Sequence, residues 1–213
     1  MYGKVDRAAM AMAYAYYIKN LANSLKNSNI LDVGCGLGNY TKLFSVNNNK
    51  VTGIDILDYR EKKLREYFKF IKYDGRKMPF GDNKFDVVVN FDVIEHIKDD
   101  LNFMKEIRRV IKKDGKLFIA TPNRDRLANL LFTLVGKPKK FPLVVQESGI
   151  GGKSVHEREY TGKELVLLVK KVGFKNLHLD YFWFGLRGKI NLGTKRFFIK
   201  ELCQYLFLSG VRK

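Results

Sequence analysis

Apolar residues along this chain fall into short continuous runs separated by stretches of helical period. Asn29–Val33 (NILDV) is a buried-strand run ending in a glycine cluster, and Gly38–Val46 is then expected to form a helix. Lys50–Asp55 (KVTGID) reads as a second strand. Asp58–Tyr67 predicts a charged helix, with Asp58 as N-cap and Glu61 completing a capping box. Phe68–Tyr73 is a third strand. Phe85–Asn90 (FDVVVN) is β-branched and unbroken, as expected of a fourth strand covered on both faces. Asp100–Lys113 predicts an amphipathic helix carrying Leu101, Ile107, Val110 and Ile111 on one side. Asp114-Gly115 should stop that helix, and Lys116–Thr121 (KLFIAT) is a fifth strand. Strands alternating with helices at this spacing predict an α/β fold, a parallel sheet with helices on both faces.

The alternation breaks from Pro122 to Tyr160. Arg124–Gly136 is a basic-then-apolar helix candidate, followed by KPKKFPLVV with its two prolines. A helix over Thr161–Val172 restores the pattern, with Thr161 as N-cap and Glu164 three residues on. Gly173 ends it, and Phe174–Phe184 is an aromatic strand. Residues 194–208 hold a last apolar stretch, strand or helix. The Ala/Tyr-rich N-terminal stretch lacks the compact apolar segment of a signal peptide and reads as a helix.

Composition narrows the picture. At 213 residues, 46% of them hydrophobic, the chain fits one domain with ample core and is too apolar to be disordered throughout. Nothing approaches 18 uninterrupted apolar residues, so no membrane-spanning helix is expected. Two cysteines, Cys35 and Cys203, are too few for a disulfide framework, which makes a reducing cytoplasm the default expectation. Net charge is +18, and residues 120–213 carry 18 bases against 7 acids. That balance suits polyanions, whether nucleic acid or anionic lipid head groups, and equally suits simple solubility.

The candidate chemistry lies in Asp32-Val33-Gly34-Cys35-Gly36-Leu37-Gly38. Glycines after a buried strand let the backbone turn tightly and approach a ligand. The spacing G-x-G-x-G differs from the dinucleotide fingerprint, since Asn39 stands where a third glycine would be, and no P-loop Lys-Ser/Thr follows. Asp32 beside such a loop suits an ammonium-bearing group better than a pyrophosphate. Asp55, at the end of the second strand, occupies a position that can bind both hydroxyls of a ribose. Asp74 follows the third strand. Asp86 opens the fourth, where capping or strand-end hydrogen bonding is expected, and it stays outside the site.

Read in order, ILDVGCGLGNY, VTGIDI, YDGRKMPFGDNKFDVVV, FDVIEHI and GKLFIATPN resemble class I S-adenosylmethionine-dependent methyltransferases. Residues 28–123 carry the resemblance and HEREYTGKELVLLVKKVGF continues it; the ubiquinone-pathway O-methyltransferase group is the nearest in character. The resemblance implies a Rossmann-like, doubly wound, mostly parallel seven-stranded sheet in a single methyltransferase domain. Within it, 1–27 would be a helical cover, 28–122 the cofactor-binding core, 123–160 a lid, and 161–213 the substrate-side end of the sheet. It also implies S-adenosylmethionine as cofactor and S-adenosylhomocysteine as product. Asp32, Gly34, Gly36 and Gly38 would hold the methionine part, with Asn90 lining it. Asp55 would take the ribose hydroxyls and Ile56 pack on the adenine. Asp74 would accept from the adenine amino group beside the backbone of Gly75.

Methyl transfer to a hydroxyl needs a base. His96, with Glu95 before it on the ligand side of the sheet, and His156, where the fold resumes, are the catalytic candidates; His178 reads as structural. Asp92-x-x-Glu95-His96 with a later His156 also looks like a divalent-metal constellation of two methyltransferase groups, ubiquinone-pathway enzymes and small-RNA terminal 2′-O-methyltransferases. Asp92 is shorter than the glutamate expected there, and a metal is allowed for without being favoured. The basic, apolar segment 123–145 suits a small or lipophilic acceptor offered at an anionic membrane surface. Nucleic-acid methylation is the alternative, drawing on the charge and on the interleaved bases and aromatics of Tyr181–Phe198.

Overall fold

In the computed structural model, which describes residues 3–146, 153–186, 190–193 and 199–213, the valines of the fourth strand are divided between two cores. Val88 packs with Leu31, Met104, Ile107 and Leu165 on one face of the sheet. Val87 and Val89 pack with Ile30, Ile18, Ala22 and Phe207 on the other. Successive strand residues face opposite ways. A strand buried at every position therefore needs cover on both sides, and its unbroken apolar run encodes that requirement.

The described chain runs through α1 (Gly3–Ser24), β1 (Asn29–Val33), β2 (Lys50–Asp55), β3 (Lys69–Lys72) and β4 (Phe85–Phe91). It continues with α2 (Asp100–Val110), β5 (Ile111–Pro122), α3 (Leu127–Leu134), β6 (Leu143–Gln146) and β7 (Lys153–His156). The last part holds α4 (Gly162–Lys171), β8 (Phe174–Phe182), β9 (Phe184–Leu186), β10 (Ile190–Gly193) and β11 (Tyr205–Arg212). The main sheet has seven strands in the order β3-β2-β1-β4-β5-β11-β8. Its register is parallel from β3 to β5, and only β11 runs antiparallel to both of its neighbours. The expected doubly wound, mostly parallel sheet is therefore present. Helix α1 covers one face through Tyr14, Ile18, Ala22 and Leu25, a spacing that makes one helical stripe. Helices α2 and α4 cover the other face. Two small hairpins, β6-β7 and β9-β10, stand outside the main sheet.

Several expected elements are shorter than the pattern suggests. The helix expected over Gly38–Val46 is a single 3-10 turn at Thr41–Phe44. Asn47 and Asn48, both in the left-handed region, turn the chain back towards β2 before a helix can extend. The helix expected over Asp58–Tyr67 is likewise one 3-10 turn, Lys62–Leu64, and Asp58 does not cap it. Its carboxylate instead accepts from Arg60 Nε and Nη2 at 2.9 Å, while the same guanidinium donates to the Phe68 carbonyl and lies over the Phe68 and Phe70 rings. Helix α2 stops at Val110 rather than Lys113, because Ile111 already pairs with Phe85 of β4. Asp114-Gly115 marks a shift in the register of that strand rather than a helix end. The aromatic strand breaks at Trp183, whose φ is +64°. Helix α4 has the expected capping box between Thr161 and Glu164. Of the apolar stretch 194–208, residues 194–198 lie outside the described residues; the rest is a 3-10 turn at Lys200–Leu202 and the start of β11.

Candidate active site

The carboxyl ends of β1, β2 and β4 lie side by side, and the loops leaving them bring together most of the residues singled out by sequence. Gly34 leaves β1 with a φ of +84°, and its amide and that of Cys35 both donate to the Ile54 carbonyl of β2, at 2.8 and 3.1 Å. A Cβ at Gly34 would come within 2.1 Å of Val93 Cγ2, so both the turn and the close approach require glycine. The Gly36 amide donates to Asp55 Oδ2 at 2.8 Å and the Ile56 amide to Asp55 Oδ1 at 2.7 Å. Asp55 thus braces the glycine loop from the end of β2 and keeps lone pairs for further donors. Burial raises its carboxyl pKa against the pull of the Gly36, Ile56 and Leu57 amides.

Asp32 is nearly fully buried and accepts from Thr41 Oγ1 at 2.7 Å. Burial pushes its pKa up to about 7, opposed by the Thr41 hydrogen bond and helped by the nearby Asp55 charge. Asn90 is fully buried on β4, and its Nδ2 donates to the Val33 carbonyl at 2.9 Å. Its Oδ1 is buried and has no hydrogen-bond partner among the described residues. The buried carboxylate at the end of β1 and the buried lone acceptor on the adjacent β4 are each groups that a donor-rich cation such as an ammonium group can satisfy. These features fit the methionine end of S-adenosylmethionine. On the neighbouring edge, Ile56 is more than half exposed at the end of β2. Asp74 is exposed after β3, where it accepts from the Arg76 amide, and Gly75 follows with a φ of +84°. The Tyr73 amide donates to the Asp55 carbonyl, so the two loops adjoin.

A second group forms where β4 ends in the 3-10 turn Ile94–His96. Glu95 is fully buried and accepts from Thr121 Oγ1 of β5 at 2.9 Å. Its backbone carbonyl accepts from the Glu157 amide, which draws the segment after β7 against this turn. His96 Nδ1 lies 2.9 Å from the Val155 carbonyl. A carbonyl only accepts, so Nδ1 carries a hydrogen. The His96 and His156 rings meet edge to face, with centroids 4.7 Å apart. Ligand-capable atoms of Glu95, His96 and His156 all lie within 4.8 Å of one another. Asp92, expected to belong with them, stands apart from this trio. Its φ is +56° and its carboxylate accepts from the Tyr14 hydroxyl of α1 at 3.0 Å. His178 is on the surface beside Asp180, and Asp86 pairs with Lys112 and the Asn29 amide far from these loops.

Sequence reasoning missed Tyr14, Thr41 and Thr121, single polar residues whose partners, Asp92, Asp32 and Glu95, are set by the fold. It also missed Glu159, although that residue follows His156 by three positions. Cys35 offers no thiolate chemistry, because burial pushes its thiol well above the usual range.

The family profile described as a methyltransferase domain matches residues 7–179, and the chain belongs to that family. Among curated proteins it is similar to the ubiquinone biosynthesis O-methyltransferase of Pelagibacter ubique, 34% identical over 131 residues, covering 57% of this chain and 52% of that one. The enzyme of the same name from Actinobacillus pleuropneumoniae serotype 7 is 34% identical over 127 residues, 54% of each chain. The chain thus spans about half the length of the curated relatives it matches. In structure it is similar to an S-adenosylmethionine-dependent methyltransferase of Thermotoga maritima, with a TM-score of 0.67 at 16% identity, covering 94% of this chain and 89% of the other.

Proposed function

We propose that this chain transfers a methyl group from S-adenosylmethionine to a hydroxyl of a small or lipophilic acceptor, releasing S-adenosylhomocysteine. The sulfonium supplies an activated methyl carbon, which an oxygen takes by in-line displacement as the S–CH₃ bond breaks. In this reading Asp32 and the Gly34, Gly36 and Gly38 loop hold the methionine end, with Asn90 Oδ1 accepting from its ammonium. Asp55 takes the ribose hydroxyls, Ile56 packs on the adenine, and Asp74 and the Gly75 backbone meet its edge. The chain's contribution is chiefly alignment and exclusion of water.

One observation carries the O-methyl reading. The Val155 carbonyl holds the hydrogen of His96 on Nδ1, so that in the neutral ring Nε2 would be the atom to take a proton, just after the strand that carries Asn90. As the carbon–oxygen bond forms, the hydroxyl proton passes to Nε2, while Glu95 and His156 wall the acceptor side. The segment 123–160 serves as a lid. Its helix α3 leaves Leu131, Phe132, Leu134 and Val135 exposed, with Lys137 and Lys140 following, a surface suited to the anionic membrane from which a lipophilic acceptor would come.

The deciding experiment incubates the protein and methyl-tritiated cofactor with extract of its source cells and partitions the label. Counts in the organic phase, lost in His96→Ala, support the reading; counts in nuclease-sensitive aqueous material overturn it. A nucleic-acid acceptor gains no support from the similarities described above. A second reading of the same three side chains follows from their mutual approach within 4.8 Å: Glu95, His96 and His156 would hold a divalent cation. Such an ion would bind the acceptor oxygen and lower its pKa. Activity lost in EDTA and restored by Mg²⁺ supports this second reading, and indifference to chelator discards it.

A further inference from the structure

Glu159 is 2% exposed, and its carboxylate is gripped from the start of α3. Arg126 Nη1 and Nη2 donate one to each of its oxygens, both at 2.7 Å, and Asn129 Nδ2 adds a third bond at 3.1 Å. Lys139 Nζ lies 3.5 Å from Oε1, and His156 Nδ1 lies 3.6 Å from the same oxygen. Burial would raise the carboxyl pKa; the opposing pull of His156, Arg126 and Lys139 holds it well below the usual carboxylate range, so Glu159 is an anion at neutral pH. Arg126 is tied in turn to the Asn123 carbonyl at the end of β5. Asn123 itself donates to the Glu201 and Cys203 carbonyls. One buried charge thus joins the end of β5, helix α3, the loop after it and the His156 ring.

A buried ion pair with this many partners is a poor source of stability compared with apolar packing, since both charges must leave water. It does fix geometry. We infer that Glu159 is a positioning residue: its carboxylate, oriented by Arg126 and Asn129, holds the His156 ring against His96, so that the α3 segment must be seated for the acceptor side to assemble. The inference rests on the acceptor-side role given to these histidines above, but the juxtaposition it concerns can be measured without any acceptor. A bidentate Arg–carboxylate pair defines a direction as well as a distance, and it sets Oε1 3.6 Å from the buried Nδ1 of His156, a nitrogen with no hydrogen bond among the described residues, so the ring is held by charge and close packing against this carboxylate.

The chain has only three histidines, which makes the test direct. With isotope-labelled histidine, a ring-to-ring nuclear Overhauser cross-peak between His96 and His156 reports their contact, and His178 on the surface is the internal control. In Glu159→Gln the cross-peak is expected to weaken or vanish while His178 keeps its resonances and S-adenosylhomocysteine still binds by calorimetry. Methyl transfer is expected to fall about 10- to 100-fold. If Glu159→Gln does not fold, the double variant Arg126→Met/Glu159→Met leaves no orphan charge behind, and the same loss of cross-peak is expected. An undiminished cross-peak in either folded variant overturns the inference. Methyl transfer that survives His96→Ala and His156→Ala overturns the acceptor-side reading instead, and leaves the cross-peak result to decide the role of Glu159.

Discussion

Asp32 sets a pH dependence that belongs to one residue. Its folded pKa of about 7 stands above the ~3.9 of an unfolded aspartate, so the native state holds the proton more tightly. The contribution to stability is complete below pH ~4 and is lost as pH rises through about 7. A cation beside Asp32 favours the ionised form, so cofactor binding should tighten as pH climbs towards 7, level off above it, and release a proton on the way. Calorimetry in buffers of different ionisation enthalpy would count that proton, and Asp32→Asn should abolish the protein's share of it. If Asp55 takes the ribose hydroxyls as proposed, Asp55→Asn should weaken cofactor binding by roughly 10- to 100-fold, the worth of charged hydrogen bonds, in the same calorimetric measurement. Gly34→Ala adds ~1–2 kcal/mol of left-handed backbone cost to its clash with Val93. Adding Val93→Ala should recover the clash and leave the backbone cost, as read by urea denaturation.

Among the elements, α4 offers the cleanest stability test. Thr161→Ala removes the side-chain acceptor for the Glu164 amide and should cost about 1 kcal/mol without touching cofactor affinity. That cap was legible in the sequence because both of its partners lie within four residues. Strands β1, β2, β4 and β5 were legible for a related reason, since a strand covered on both faces is largely apolar and the string shows it; β6, β7 and β10 were not expected, and β11 lay in a stretch read as strand or helix. The glycine loop with Asp32 and Asp55 was also legible, each residue placed by its strand end. The helices expected after β1 and β2 were not: the first is cut short where Asn47 and Asn48 turn the chain, and in the second Asp58 found Arg60, whose guanidinium is held by Phe68 and Phe70, a tertiary preference. Nor could spacing show that the His156 ring meets His96 across the β6-β7 hairpin, while Asp92, four residues from His96, turns instead to Tyr14.

For the whole molecule, the net charge of +18 and the exposed apolar side of α3 should act together. Sedimentation with anionic vesicles is expected at low salt and to fall as the Debye length shrinks below ~8 Å. Replacing Leu131, Phe132, Leu134 and Val135 with serine should abolish it, and equal sedimentation with and without vesicles would discard membrane docking. The position of β11 bears on how the molecule is made. This strand, the last described in the chain, lies between β5 and β8 and is the partner of both. A nascent chain that has not yet delivered Tyr205–Arg212 leaves β5 and β8 without their shared partner and shows bare strand edges to its surroundings. Synthesis interrupted there should yield a sticky, inactive fragment rather than a weakened enzyme, so methyl transfer would begin only once translation has passed β11.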